Sequence, residues 1–238
     1  MARLSASLSA TLLIGMVVCA LAGCNQSCDG PNMCPVVVPG EDTIADGQID
    51  PEFAHQLHMA SDGTSRTVEV PDAELHDEDL ARLVTLTSLE VLKLPKAKIT
   101  DAGLSHLAEL ANLQTLVLGE TTISDQGLSV VTNWPNLRVL NLAAAQVTGA
   151  GLAALSKHEH LELLRLGRSQ VDDRGLAHLA KLPALKFVII ENAPITDEGI
   201  QQLTSLTGLE SLYVEGTKVT DAGVAKLHET LPNVHMHW

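Results

Sequence analysis

Ten histidines and 29 carboxylates are the side chains of this 238-residue chain with most scope for chemistry. Six of the histidines fall in local pairs, His55/His58, His158/His160 and His235/His237. Imidazole pairs suggest a transition-metal site, but such sites need a third or fourth ligand at matched spacing. None lies near any pair in sequence, so all three read as surface or structural positions and no metal is expected. His158 stands where other units carry leucine (Leu110, Leu182), which suggests a local loosening. The aspartates Asp101, Asp125, Asp173, Asp197 and Asp221 recur in step along the chain and could be taken for a calcium ladder. Each stands just ahead of a Gly-Leu, Gly-Ile or Gly-Val pair and directly after a Thr, Ser or Asp, the setting of a helix start. Two carboxylates about 8 Å apart in water repel only weakly. Capping therefore accounts for them. There is no glycine-rich phosphate loop, nucleophile elbow or pair of carboxylates set for acid–base work, so neither an enzyme nor a small-molecule cofactor is expected.

The four cysteines, Cys19, Cys24, Cys28 and Cys34, all lie ahead of Pro35. Residues 1–23 have the form of a processed export signal: Arg3, then an apolar run of about 11 residues, too short for the roughly 20 that span a bilayer. The run ends in Leu21-Ala22-Gly23-Cys24, which resembles a bacterial lipobox. The resemblance implies cleavage before Cys24 and acylation of its thiol and amine, hence export, with the protein held to a cell membrane or outer membrane by lipid and facing periplasm or cell surface. Residues 24–49 read as an acidic flexible tether. Between Cys24 and Ser65 there are seven carboxylates and no Lys or Arg. Cys28 and Cys34 sit in this tether and read first as a small disulfide loop in an exported setting, with free thiols or a weak metal site as the alternatives. Net charge is −14 without a basic patch, so no nucleic-acid partner is expected.

Beyond residue 49 the chain is organised by a repeat. Asp50-Pro51-Glu52 carries helix-start signals and opens a helix over 50–64, with Phe53, Ala54 and Leu57 on one face to cap the array. Leu89, Leu113, Leu137, Leu161, Leu185 and Leu209 then follow at intervals of 24. Each opens the same frame, as in Leu92, Leu94, Ile99, Asp101, Gly103, Leu104, Leu107 and Leu110. A weaker unit begins at Ser65, making seven units over 65–233, and residues 234–238 read as a terminal strand with Val234, Met236 and Trp238 turned inward. Within a unit, period-two spacing gives way to period-three spacing, so a strand precedes a helix. Strands stack about 4.8 Å apart and helices about 8–10 Å apart, so the array must curve with strands inside.

This pattern resembles the leucine-rich-repeat family over about 70% of the chain. The Ile-Thr-Asp-Ala-Gly-Leu turn at Ile99 to Leu104 is similar to that of the helical subclass found in F-box-type receptors and bacterial surface proteins. The resemblance implies an α/β solenoid, a horseshoe segment with a parallel sheet on its concave face and helices on its convex face. It also implies a binding scaffold. One departure concerns a small slot near the start of each unit's turn. It holds Ala73, Ala97, Thr121, Ala145, Ser169, Ala193 and Thr217, so no Asn ladder can bond the turns.

The repeat leaves freedom only at outward positions of the strands. Lys93, Asn141, Arg165, Ile189 and Tyr213 occupy the mid-strand position, with Arg138, Arg168 and Phe187 flanking. Phe187, Ile189 and Tyr213 form an apolar, aromatic group in a chain with few aromatics, and Arg138, Arg165 and Arg168 a basic group on an acidic protein. Arg and aromatics are common anchors of protein interfaces. The expectation is therefore a protein partner held in the concave face of an envelope scaffold. A carbohydrate or cell-wall binder and a purely structural envelope protein are the alternatives.

Overall fold

The computed structural model describes residues 49–119, 121–142 and 144–238. Residues 1–48, on which the expected export signal, most of the expected tether, and Cys24, Cys28 and Cys34 fall, lie outside the described residues.

Eight short strands form one parallel sheet in strict chain order: β1 (Thr67–Glu69), β2 (Val91–Leu94), β3 (Thr115–Leu118), β4 (Val139–Leu142), β5 (Leu163–Arg165), β6 (Phe187–Ile189), β7 (Ser211–Tyr213) and β8 (His235–His237). Register advances by one repeat from strand to strand, so Val68, Leu92, Leu116, Leu140, Leu164, Val188, Leu212 and Met236 stand side by side. The first seven are at most 1% exposed. With Leu104, Leu107, Leu128, Leu152, Leu155, Leu176 and their counterparts they form one continuous aliphatic core. No single unit closes it, so each is stable only against its neighbours.

The outer layer is less helical than the repeat suggests. Its α-turns are short: α2 (Asp77–Leu80), α3 (Asp101–Ser105), α4 (Asp125–Leu128), α5 (Asp173–Leu179), α6 (Asp197–Gln201) and the longer α7 (Asp221–Thr230). Several continue as 3-10 turns, as in Ser129–Asn133 and Gln202–Ser205. A 3-10 turn rises about 2.0 Å per residue against about 1.5 Å for an α-helix and is narrower. It carries the chain back toward the next strand with few residues and lets neighbouring units pack closely. One unit has no α-turn at all, only the 3-10 segment Gly151–Lys157. It is the unit with Gly149 where the others carry the aspartate.

Those aspartates are not the caps that the sequence suggests for the helices they open. The N-cap oxygens come from the preceding residues: Thr100, Ser124 and Thr196 each accept a first-turn N–H. The aspartate carboxylates reach across units instead. Asp101 accepts the Ser124 N–H at 2.8 Å and the Ser124 hydroxyl, and Asp77, Asp125, Asp173 and Asp197 hold Thr100, Thr148, Thr196 and Thr220 in the same way. This ladder ties strand-to-helix turns together where the small slot bears no Asn. It also explains the glycine of the motif. A Cβ on Gly127 would run into the Asp101 carboxylate, and one on Gly199 into that of Asp173.

At the first unit, α1 (Pro51–Ser61) packs on β1, with Asp50 accepting the Phe53 N–H at 3.0 Å and Phe53 fully buried. At the other end Val234 is buried, but Trp238 is half exposed and its indole N–H donates to Asp221. The inward turn expected of Trp238 does not occur. Leu231 and Val234 are buried at this end of the core, and the indole N–H finds its acceptor outside it.

His158 is likewise no point of loosening. It is 3% exposed, with Nδ1 3.1 Å from the Leu155 carbonyl and Nε2 2.9 Å from the Val131 carbonyl. Trp134, one unit earlier in the same slot, does the same with its Nε1–H, which donates to the Leu107 carbonyl at 3.0 Å. Both rings fill a leucine slot and reach back to a carbonyl of the preceding unit.

Candidate functional site

Strand geometry decides which side chains the molecule offers. Alternate residues of each strand are committed to the core, so the others stand on the opposite, concave face. Two columns result. One runs Thr67, Val91, Thr115, Val139, Leu163, Phe187, Ser211, His235; the other runs Glu69, Lys93, Val117, Asn141, Arg165, Ile189, Tyr213, His237.

On β4 to β7 these columns form a half-buried apolar area. Val139, Leu163 and Phe187 are neighbours in the first column, Ile189 and Tyr213 in the second. Tyr213 lies flat against His237, with ring centroids 4.1 Å apart and planes within 1° of parallel. Arg165 adjoins Ile189, and Asn141 adjoins Arg165 with its Oδ1 shielded from solvent and unpaired. Arg165, Asn141, Phe187, Ile189 and Tyr213 thus share one surface.

The basic group does not assemble as the sequence suggests. Arg138 precedes β4 and pairs with Glu162 at 3.1 Å; Arg165 pairs with Glu191 at 3.6 Å. Arg168 is exposed beyond β5, in a turn where its φ is +59°, and is not in either column. Lys93 pairs with Glu69 at 3.1 Å and is separated from Arg165 by β3 and β4. The repeat that aligns side chains along the sheet also sets a glutamate one unit away from Arg138 and from Lys93, so their charges are balanced in place. Sequence reasoning left His237 out of this face, although its alternation with Met236 signalled the side it occupies. It also missed Lys186, set between Glu162 and Glu210.

Elsewhere the surface is shaped by the interrupted ladder. Where Gly149 replaces aspartate and Asp172 replaces threonine, a cleft of about 320 Å³ opens, lined by Thr148, Gln170, Asp172, Arg174 and His178. Asp172 caps α5 by accepting the Gly175 N–H. Among the described residues no group of three or more His, Cys, Asp or Glu could hold a metal ion.

Eight parallel strands in one open sheet, with a short helical segment between successive strands and register shifting by one unit each time, decide the architecture. The fold is a leucine-rich-repeat solenoid. Residues 135–156 match the family model described as Leucine Rich repeat. Among solved structures, the chain is similar to internalin inlF of Listeria monocytogenes, with TM-score 0.62 and 22% identity over 76% of this chain and 49% of that one. Internalin C2 of the same species gives 0.61 and 23%, over 79% and 92%. A leucine-rich-repeat protein of Leptospira interrogans gives 0.56 and 14%, over 76% and 51%. The chain thus spans about half the length of the first and third. No curated protein matches it in sequence. At these identities the likeness establishes the fold.

Proposed function

We propose that this leucine-rich-repeat solenoid is a binding scaffold, exported and held to a bacterial membrane by lipid on Cys24, that takes a protein partner on its concave face. The observation that carries the reading is the area of Val139, Leu163, Phe187, Ile189 and Tyr213, flanked by the Arg165–Glu191 pair. The core is filled by the opposite faces of the same strands, so these side chains serve no packing need of the array. A rigid sheet also presents them at fixed spacing, which lowers the ordering cost of binding. Aromatics and Arg ringed by polar groups are the usual anchors of such contacts.

The lipid part of the reading rests on the Leu-Ala-Gly-Cys run and the short apolar segment before it. Among the described residues no helix is long and apolar enough to cross a membrane. Cys24→Ser is expected to abolish incorporation of labelled fatty acid and to move the protein from the membrane fraction; retained label overturns the anchor.

Cross-linking in intact cells, read by mass spectrometry, tests the binding face. Arg165→Glu and Tyr213→Ala are expected to lose a partner that the parent chain captures, with unfolding midpoints unchanged. An unchanged set of captured proteins places the interface elsewhere.

A further inference from the structure

Two histidines stand at the end of the concave face, outside the core, and one of them stacks on Tyr213 of the apolar area. His235 and His237 are the first and last residues of β8, and both are exposed. As alternate residues of one strand they leave the sheet on the same side, with Cα atoms about 6.6 Å apart from the strand rise. Met236 between them turns to the core side.

The stack on Tyr213 fixes how one of them stands. Tyr213 and His237 are register partners on adjacent strands, and their rings are parallel at 4.1 Å. Rings on neighbouring strands can lie face to face only if their planes cross the strand-to-strand direction. The His237 ring plane therefore stands across the strand-to-strand direction, along β8. Among the described residues no group hydrogen-bonds the ring nitrogens of either histidine.

We propose that His235 and His237 form a two-imidazole chelate for a divalent first-row transition-metal ion. Neutral imidazole nitrogens suit Ni²⁺, Cu²⁺ and Zn²⁺, with ligand distances of about 2.0–2.1 Å for Zn²⁺. One ring is already ordered by stacking and the other is exposed, which limits the ordering cost of binding. No third imidazole, thiol or carboxylate joins them among the described residues. The remaining positions fall to water or to a group from a ligand in the concave face. The site stands independently of whether that face takes a protein.

Ni²⁺ is a suitable probe, being redox-inert under ordinary conditions and paramagnetic. Calorimetric titration of the full-length chain in detergent is expected to show a site that weakens at least tenfold in His235→Gln and in His237→Gln. His55→Gln/His58→Gln, which removes the pair on α1, leaves that site intact. Tyr213→Phe keeps the ring and the affinity, whereas Tyr213→Ala weakens binding. In ¹H–¹⁵N spectra, substoichiometric Ni²⁺ broadens the amides of β7 and β8 first. Titrations unchanged by both β8 substitutions, or broadening centred on α1, overturn the proposal.

Discussion

Trp134 and His158 show how a single side chain can break a repeat's consensus and still serve it. Each occupies a slot that leucine fills in other units, is almost fully buried, and sends a ring nitrogen to a carbonyl of the unit before. The Val131 and Leu155 carbonyls that face His158 also accept backbone N–H groups, from Trp134 and from His158 itself. Substituting leucine therefore orphans neither carbonyl. His158→Leu is expected to change stability by no more than about 1 kcal/mol. Trp134→Ala, which empties a large fully buried volume, is expected to cost about 3–5 kcal/mol. Urea unfolding followed by far-ultraviolet circular dichroism measures both; equal losses would mean that the ring contacts of His158 carry weight that the geometry does not give them.

At the scale of the element, the carboxylate ladder and the glycine beside it are one device. Gly127 is small because the Asp101 carboxylate fills the space where its Cβ would be. Gly208, by contrast, has open space around it. Gly127→Ala is expected to destabilise by about 1–3 kcal/mol, as overpacking does, and Gly208→Ala to be near neutral in the same unfolding assay. The last rung of the ladder also has a pH dependence. The Thr220 N–H, then its hydroxyl, hold the Asp197 carboxyl below the usual carboxylate range. In the first units, the Lys98 ammonium does the same to Glu74, and the Asp72 carboxylate raises Lys96. For a carboxyl whose value is depressed by folding, the stabilisation is present above its unfolded value and is lost as pH falls through the folded one. Backbone amides of Thr220 and of Lys98 are therefore expected to exchange faster, relative to those of Leu116 and Leu140, when pH is lowered from neutral to below the carboxylate range. Uniform acceleration along the array would overturn that local account. The two first-unit pairs are exposed, so salt should weaken them too.

Over the whole molecule, stability comes from contact between successive units, because no unit closes the core by itself. Leu142 sits mid-array and is 0% exposed. Leu142→Ala is expected to cost about 2–5 kcal/mol. Its effect should appear in hydrogen exchange on both sides, in β3 and β5, and fade toward β1 and β8. Loss confined to β4 would show that neighbours do not depend on it. Regular stacking also governs recognition. It lines up equivalent side chains of successive units at strand spacing, which joins Phe187, Ile189 and Tyr213 into one surface and sets Arg138 and Arg165 against glutamates.

Local pattern alone was enough to determine the architecture. A strict recurrence of aliphatics, with period two passing to period three inside each unit, admits one way of burying Leu92, Leu116, Leu140 and Leu164, and they do stand in one column. The candidate surface was legible to the same extent, because a strand's two faces follow from parity: Arg165, Phe187, Ile189 and Tyr213 had to share the uncommitted one. What tertiary structure decided is whatever depends on contacts between units. Parity could not show that Arg138 and Arg165 meet acidic partners, that Arg168 leaves the strand in a left-handed turn, or that each ladder aspartate binds the next unit's Thr or Ser. Nor could it show that His158 bonds backward, or that Tyr213 stacks on His237. Such pairings depend on distances across the gap between units, which only stacking sets.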